Sequence, residues 1–325
     1  MSIMRKRKVT AILTSDWHLR ANTPKCRIDN YQVATWKKLN FIAELQATHS
    51  YCPILNAGDV FDRATGNPEM LFYKLLHSQL SKQNKPDKRN ILSGYLLCIP
   101  GQHDLPGHSL LNYKKSALAV FSHVARVCVS TNPVIDEINN FIIYPFPYGT
   151  KLVDRETTKM PGVAILHSLV TNPKQPSIIN VGTPTAKIFD TFKNMNLILC
   201  GDNHKPFVCT NGNQLLVSPG SLLRMDADQI EYQPRVYLWY VETNEVEAVY
   251  LPIEKDVIDR RYLDIKQSKD ELIENYRSAL LVLGKIGVSF IENMYQYLQK
   301  NNITKSVKKE ILQIMEKGEE HARRD

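Results

Sequence analysis

From residue 9 to about residue 250 the chain alternates short apolar runs with longer stretches of helical periodicity. The runs are VTAILTS (9–15), PILNA (53–57), YLLCIP (95–100), FIIYPF (141–146), GVAILHS (162–168), LILCG (197–201) and LLVS (215–218). Each has a strand's length. Between the first two lies YQVATWKKLNFIAELQ (31–46), where Val33, Trp36, Leu39, Phe41, Ile42 and Leu45 form a stripe that predicts a helix. EMLFYKLLHSQL (69–80) repeats that pattern after the second run. Strands alternating with helices predict α/β packing around a largely central sheet. PRVYLWYVETNEVEAVYLPI (234–253) differs, reading as two strands around a Thr-Asn turn that finish the sheet as a hairpin.

Beyond Pro252 the period changes to that of helices. Residues 270–287, 289–300 and 304–325 carry helical patterns, interrupted at Gly287 and at Asn301–Asn302. The expected organisation is a first domain over 1–252 and a helical C-terminal region over 253–325. No internal repeat or low-complexity segment is present.

In an open α/β sheet, ligands bind beyond the carboxyl ends of the strands. Five of the apolar runs end in residues able to bind metal or move protons. They lead into Asp16-Trp17-His18, Gly58-Asp59-Val60-Phe61-Asp62, Gly101-Gln102-His103-Asp104, His167, and Gly201-Asp202-Asn203-His204. Any one alone is explained by turn formation or helix capping, and a lone histidine by ordinary partial burial. Five at equivalent strand ends are not. They would converge on one sheet edge, where so many carboxylates repel unless cations lie between them. With no cysteine and a mixed oxygen and nitrogen donor set, the expected ions are Mn²⁺, Fe²⁺ or Mg²⁺ rather than structural zinc.

Composition narrows the partners. The chain has 325 residues, 43% hydrophobic and 23% charged, as soluble globular proteins do, which excludes collagen-like, disordered and disulfide-scaffold classes. Its net charge of +8 favours a polyanionic partner, nucleic acid or acidic membrane. Lysine and arginine gather at Arg5–Lys8, Lys37–Lys38, Lys82–Arg89, Lys114–Lys115, Arg260–Arg261 and Lys305–Lys309. Each group alone is a solvated face; together they suit a surface that tracks the backbone of a polyanion. The six cysteines form no C-x-x-C pair and read as reduced core residues. No apolar run reaches the ~20 residues of a membrane span. The apolar stretch after MSIMRKRK is too short for a signal peptide, so a cytoplasmic location is expected.

The order D-x-H, G-D-x-x-D, G-N-H-D, a lone His and G-H-x-H is the signature of the calcineurin-like metallophosphoesterase superfamily, which this chain resembles across residues 9 to about 225. GDVFD (58–62) and PGSLLR (219–224) look like the SbcD-type recombination nuclease subunit, and GQHDLPGH (101–108) and GDNHKPF (201–207) resemble a phage-encoded branch. The resemblance implies a metallophosphoesterase-type β-sandwich flanked by helices, with a small helical C-terminal appendage. One metal would be held by Asp16, His18 and His204, the other by Gln102, His167 and Asp202, with Asp59 bridging. His103 would be the acid near the leaving group and Asp104 would orient its imidazole, while Asp62 would support the site or start a helix. Two residues depart from the family pattern on the same metal. Gln102 stands where asparagine is usual, and Asp202 where histidine is usual.

The activity so implied is Mn-dependent DNA exonuclease and endonuclease cleavage by two metal ions, in the catalytic subunit of an SbcCD-like repair complex. The implied partners are DNA, an SbcC-like coiled-coil ATPase bound through the C-terminal region, and a second copy of the chain in a homodimer, with no membrane. A phosphatase or cyclic-nucleotide phosphodiesterase on the same metals is the alternative enzyme. A non-catalytic scaffold binding DNA or a partner is the alternative from another class.

Overall fold

The structure is a computed structural model that describes residues 7–67, 95–124, 127–156, 159–172, 182–259, 261, 294, 297–301 and 303–322. All seven apolar runs are strands. They belong to two six-stranded mixed sheets. The first sheet contains β1 (Ala11–Thr14), β2 (Ile54–Asn56), β3 (Leu96–Cys98) and β4 (Val127–Val129), which pair in parallel in that order. The second contains β5 (Val134–Asp136), β6 (Phe141–Phe146), β7 (Gly162–His167) and, after a two-stranded pair β8 (Val170–Thr171) with β9 (Thr183–Pro184), β10 (Leu197–Gly201). Strands β11 (Phe207–Asn211) and β12 (Gln214–Ser218) complete it in the order β11-β12-β10-β7-β6-β5. The expected hairpin is β13 (Arg235–Tyr240) with β14 (Glu245–Tyr250), and β13 runs antiparallel to β1 at the edge of the first sheet.

Strand period explains the layers. Along β1 to β3, Ile12, Ile54, Leu96 and Cys98 face outward to one core, while Leu13, Leu55 and Leu97 face the other sheet. Those inward residues meet Phe141, Ile143, Ile165 and Leu199, and Trp239 packs edge-on to Phe141 at 5.3 Å. Two sheets face to face with helices on the outer faces make the α/β sandwich flanked by helices that the sequence led us to expect. Central parallel strands buried on both faces are why the runs read as unbroken apolar segments.

Helix α1 (Tyr31–Thr48) covers the first sheet, and the Asn30 side chain caps it by accepting from Val33 N–H at 3.2 Å. Its buried stripe is rotated from the expected one. Tyr31, Ala34, Thr35, Lys38, Leu39, Ile42 and Gln46 are buried, whereas Val33 is 49% exposed. Polar members of that stripe are tolerated because they find acceptors, Gln46 Nε2 donating to Cys52 O at 2.7 Å and Thr35 to Tyr31 O at 2.8 Å. Helix α2 (Ala117–Val124) packs on the same outer core through Leu118 and Phe121, and Tyr113 packs there too. Helix α3 (Thr185–Thr191) does the equivalent for the second sheet with Ile188 and Phe189. The strands absent from the sequence reading, β4, β5, β8, β9 and β11, are short or have exposed residues.

The chain divides into two compact units, Met1–Tyr262 and Leu263–Asp325. Within the second, Met294 and Leu298 are buried against Ile303, Ile311 and Leu312, the last two on helix α4 (Lys305–Ala322). The helices expected over 69–80 and 270–287, most of 289–300, and the basic group Lys82–Arg89 lie outside the described residues. Among the described residues no helix is long and apolar enough to cross a membrane, and all six cysteines are free.

Candidate metal centre

The carboxyl ends of β1, β2, β3, β7 and β10 bring the five clusters to one place. Four of the residues there adopt left-handed backbone conformations: Asp16 (φ 49°), His18 (44°), Asp59 (51°) and Asp202 (78°). Such conformations are uncommon outside glycine and concentrate where function holds the chain. The backbone locks them together, with Asp16 N–H donating to Gly58 O (3.0 Å), His18 N–H to Asp59 O (2.9 Å) and Asp202 N–H to the Asp16 carboxylate (3.0 Å). Gly58 and Gly101 are required by close approach. A side chain at Gly58 would strike the His167 ring, and one at Gly101 would strike Asp59.

Three overlapping triads have their ligand atoms within 4.8 Å of one another: Asp16, His18 and His204; His18, Asp59 and His103; Asp16, Asp59 and His167. His18 Nε2 lies 3.1 Å from His204 Nε2. Asp59 Oδ2 lies 3.3 Å from His167 Nε2 and 3.7 Å from His18 Nε2, while Asp59 Oδ1 accepts from His103 N–H at 2.8 Å. His167 donates Nδ1–H to Ala57 O at 2.6 Å, which turns Nε2 toward Asp59. Gln102 donates Nε2–H to Asp202 Oδ1 at 2.6 Å.

Whether these residues suit cations is decided by unspent hydrogen-bonding capacity. Asp16 Oδ2, His18 Nδ1, Asn56 Nδ2, Asp59 Oδ2, Gln102 Oε1 and His167 Nε2 are buried with no hydrogen-bond partner. Buried polar groups are otherwise nearly always paired. Five of the six are oxygens or imidazole nitrogens, and Asp16, Asp59 and His167 converge in one triad, which is the donor set that divalent cations take.

Electrostatics agree. Burial lowers the pKa of His18 to about 3, aided by His204, His103 and His167 and opposed by Asp59, so its ring is neutral as a ligand must be. Burial raises Asp16, and the nearby Asp59 adds to this, while His204 and His167 oppose it. Asp59 is the exception: burial alone would raise it, but His167, His18 and His103 hold it down at about 2. Burial works against charge on His167, yet Asp59, Asp16 and the Ala57 carbonyl carry it up to about 10. This much charge packed in so little space is the condition that a bound cation relieves.

Asp104 requires a correction. The resemblance has it orienting the His103 imidazole, but its fully buried carboxylate accepts the backbone N–H groups of Phe61 (2.9 Å), Gly101 (3.1 Å) and Val60 (3.2 Å). His103 and Asp104 are consecutive on a turn and point opposite ways, one exposed and one inward. Asp104 therefore ties the loop after β2 to the loop after β3. Burial, with Asp59 nearby, raises its pKa to about 7 against the pull of those amides. The imidazole of His103 is steered by Asp62, whose carbonyl accepts from Nδ1–H at 3.0 Å, and the Asp62 carboxylate accepts from Arg20 at 3.3 Å. Asp202 lies outside all three triads. Two supports escaped the sequence reading, Asn56, whose Oδ1 accepts Gly58 N–H at 2.8 Å, and the Ala57 carbonyl under His167. Asn56 carried a signal as the polar end of an apolar run; a carbonyl carries none.

No family model matches the chain, and no curated protein matches it. Among solved structures, one of an archaeal phosphodiesterase is similar over 74% of this chain and 99% of its own, at 9% identity and a TM-score of 0.37.

Proposed function

We propose that this protein is a divalent-metal-dependent phosphodiesterase that cleaves DNA, the catalytic subunit of an SbcCD-like repair complex. The observation that carries the reading is the set of buried, unpartnered donors gathered from four strand ends around Asp59, joined from a fifth by His204. Asp16, His18 and His204 would hold one ion and Asp59 would lie between the two. A pair of such ions, when bound, activates water and neutralises charge building on phosphorus. The chain's own residues supply the rest. Asp59 keeps its charge because three histidines surround it. His103, exposed at the rim with Nδ1–H spent on Asp62 O, has Nε2 left to hand a proton to the leaving oxygen. Asp104 holds the two ligand loops in register.

Charge and partners follow the same reading. Lys114 and Lys115 are exposed in the segment that follows the His103 loop and suit phosphate contacts. Other basic groups are already engaged: Lys37 pairs with Glu254, Arg261 with Asp259, Arg7 with Glu245, and Lys38 is buried. The C-terminal helices would receive an SbcC-like ATPase, and manganese would be the preferred ion.

Cleavage of plasmid and oligonucleotide DNA in Mn²⁺ tests the proposal. Wild type should cut both. His103→Ala should slow cleavage about 10²–10⁴-fold, and Asp59→Ala should abolish it. Hydrolysis confined to p-nitrophenyl esters would establish the phosphatase alternative, and DNA binding without cleavage the scaffold.

A further inference from the structure

The two residues that depart from the family pattern touch each other. Gln102 Nε2 donates to Asp202 Oδ1 at 2.6 Å, across a separation of 100 residues. The amide's orientation follows from chemistry, because an amide oxygen facing a carboxylate at that distance would be repelled. The amide oxygen Oε1 is then buried without a partner. Gln102 sits between two residues that press on Asp59: Gly101, whose Cα faces that carboxylate, and His103, whose N–H binds it. Glutamine has one more rotatable bond than asparagine, so its amide needs an anchor to present the oxygen in one direction. Asp202 supplies one and is itself fixed through its own N–H on Asp16 at 3.0 Å. Its carboxylate belongs to none of the triads of converging ligand atoms.

We propose that Asp202 is a positioning residue and not a ligand: it grips the Gln102 amide nitrogen and turns Gln102 Oε1 toward the second cation, which Asp59, His167 and Gln102 then hold. The proposal rests on the two-metal reading above. Gln102 and Asp202 thus act as one unit, replacing two independent ligands by a single oriented one.

Calorimetric titration of the full chain with Mn²⁺ tests it, each variant first being checked for an unchanged circular dichroism spectrum and melting transition. Wild type should bind two ions. Gln102→Ala and Asp202→Ala should each weaken the weaker binding event about 10- to 100-fold. The double variant should lose no more than either single one, since the two residues act through one bond. Asp202→Asn keeps an acceptor oxygen and tolerates a φ of 78°, so it should stay within about threefold of wild type. A double variant whose loss is the product of the two single losses would overturn the proposal. So would Asp202→Asn losing as much as Asp202→Ala, or a wild type that binds one ion only. A wild type that binds no ion would overturn the two-metal reading itself.

Discussion

Two regions of this protein bury charge, and they do so in opposite ways. Around Arg27 the buried ions are matched. Arg27 forks onto Asp29 at 2.6 and 2.8 Å and donates to Arg224 O at 3.1 Å, while Arg224 donates to the carbonyls of Ile230 (3.1 Å) and Glu254. At the strand ends the buried carboxylates and imidazoles keep free oxygens and nitrogens facing one another. Buried charge is therefore no mark of a functional site here, because both regions have it. What separates them is how much capacity is left unspent: Arg27, Asp29 and Arg224 are answered by their own chain although the Tyr31 hydroxyl beside Arg27 stays open, whereas the Asp59 region keeps several acidic and imidazole atoms open at once.

The largest effect that could break this contrast is structural. Arg27→Ala should destabilise the fold by about 3–5 kcal/mol, because Asp29 and the Arg224 carbonyl lose their partner. Urea unfolding measures it, and Mn²⁺ affinity should be unchanged. A loss under about 1 kcal/mol would place Arg27 with ordinary surface pairs and dissolve the contrast.

A smaller effect sharpens the other side. His167 without metal keeps its proton up to about pH 10, where an unfolded histidine loses it near 6.5. Its contribution to stability is therefore full below the lower value and lost as pH rises through the upper one. Metal affinity runs the other way, since an ion must displace that proton. Mn²⁺ binding at the His167 site should strengthen by about tenfold per pH unit from pH 7 to 9. Calorimetry in buffers of different ionisation enthalpy should find proton release on binding; none would mean His167 is already neutral and free.

The smallest effect concerns Lys38, the one misfit in the matched region. Burial lowers its pKa to about 8, and Arg27 and Arg224 add to this while Asp29 and Glu254 oppose it. Lys38→Met should raise stability by about 1 kcal/mol at pH 7, read as a rise in Tm. In wild type the loss of this penalty between about pH 8 and 10.5 should offset much of the stability that His167 gives up between about pH 6.5 and 10, so the variant should lose stability more steeply above pH 8. A destabilised variant would mean the ammonium is a working member of the Arg27 network.

Much of this was legible in the chain. Seven apolar runs became seven strands because parallel strands buried on both faces leave an unbroken apolar signature, whereas β5 and β11, with exposed residues, left almost none. The ligand clusters were legible because each follows a run directly. Helix α1 was legible in extent but not in facing, since Thr35, Lys38 and Gln46 turn inward on bonds that hydrophobic patterning does not register. The resemblance put Asp104 on the His103 imidazole, whereas on this turn the two neighbouring side chains diverge and the Asp104 carboxylate accepts loop amides instead. The Gln102–Asp202 bond was unreadable for a different reason: it joins residues far apart in the chain, and only the approach of β3 to β10 brings them together.

The most direct measurement is the number of Mn²⁺ ions bound per chain, by calorimetry or equilibrium dialysis, for wild type and for Asp59→Ala. A dinuclear centre organised around Asp59 requires two ions in wild type and fewer, more weakly held, in the variant. Equal binding by the two proteins, or none by wild type, would contradict it.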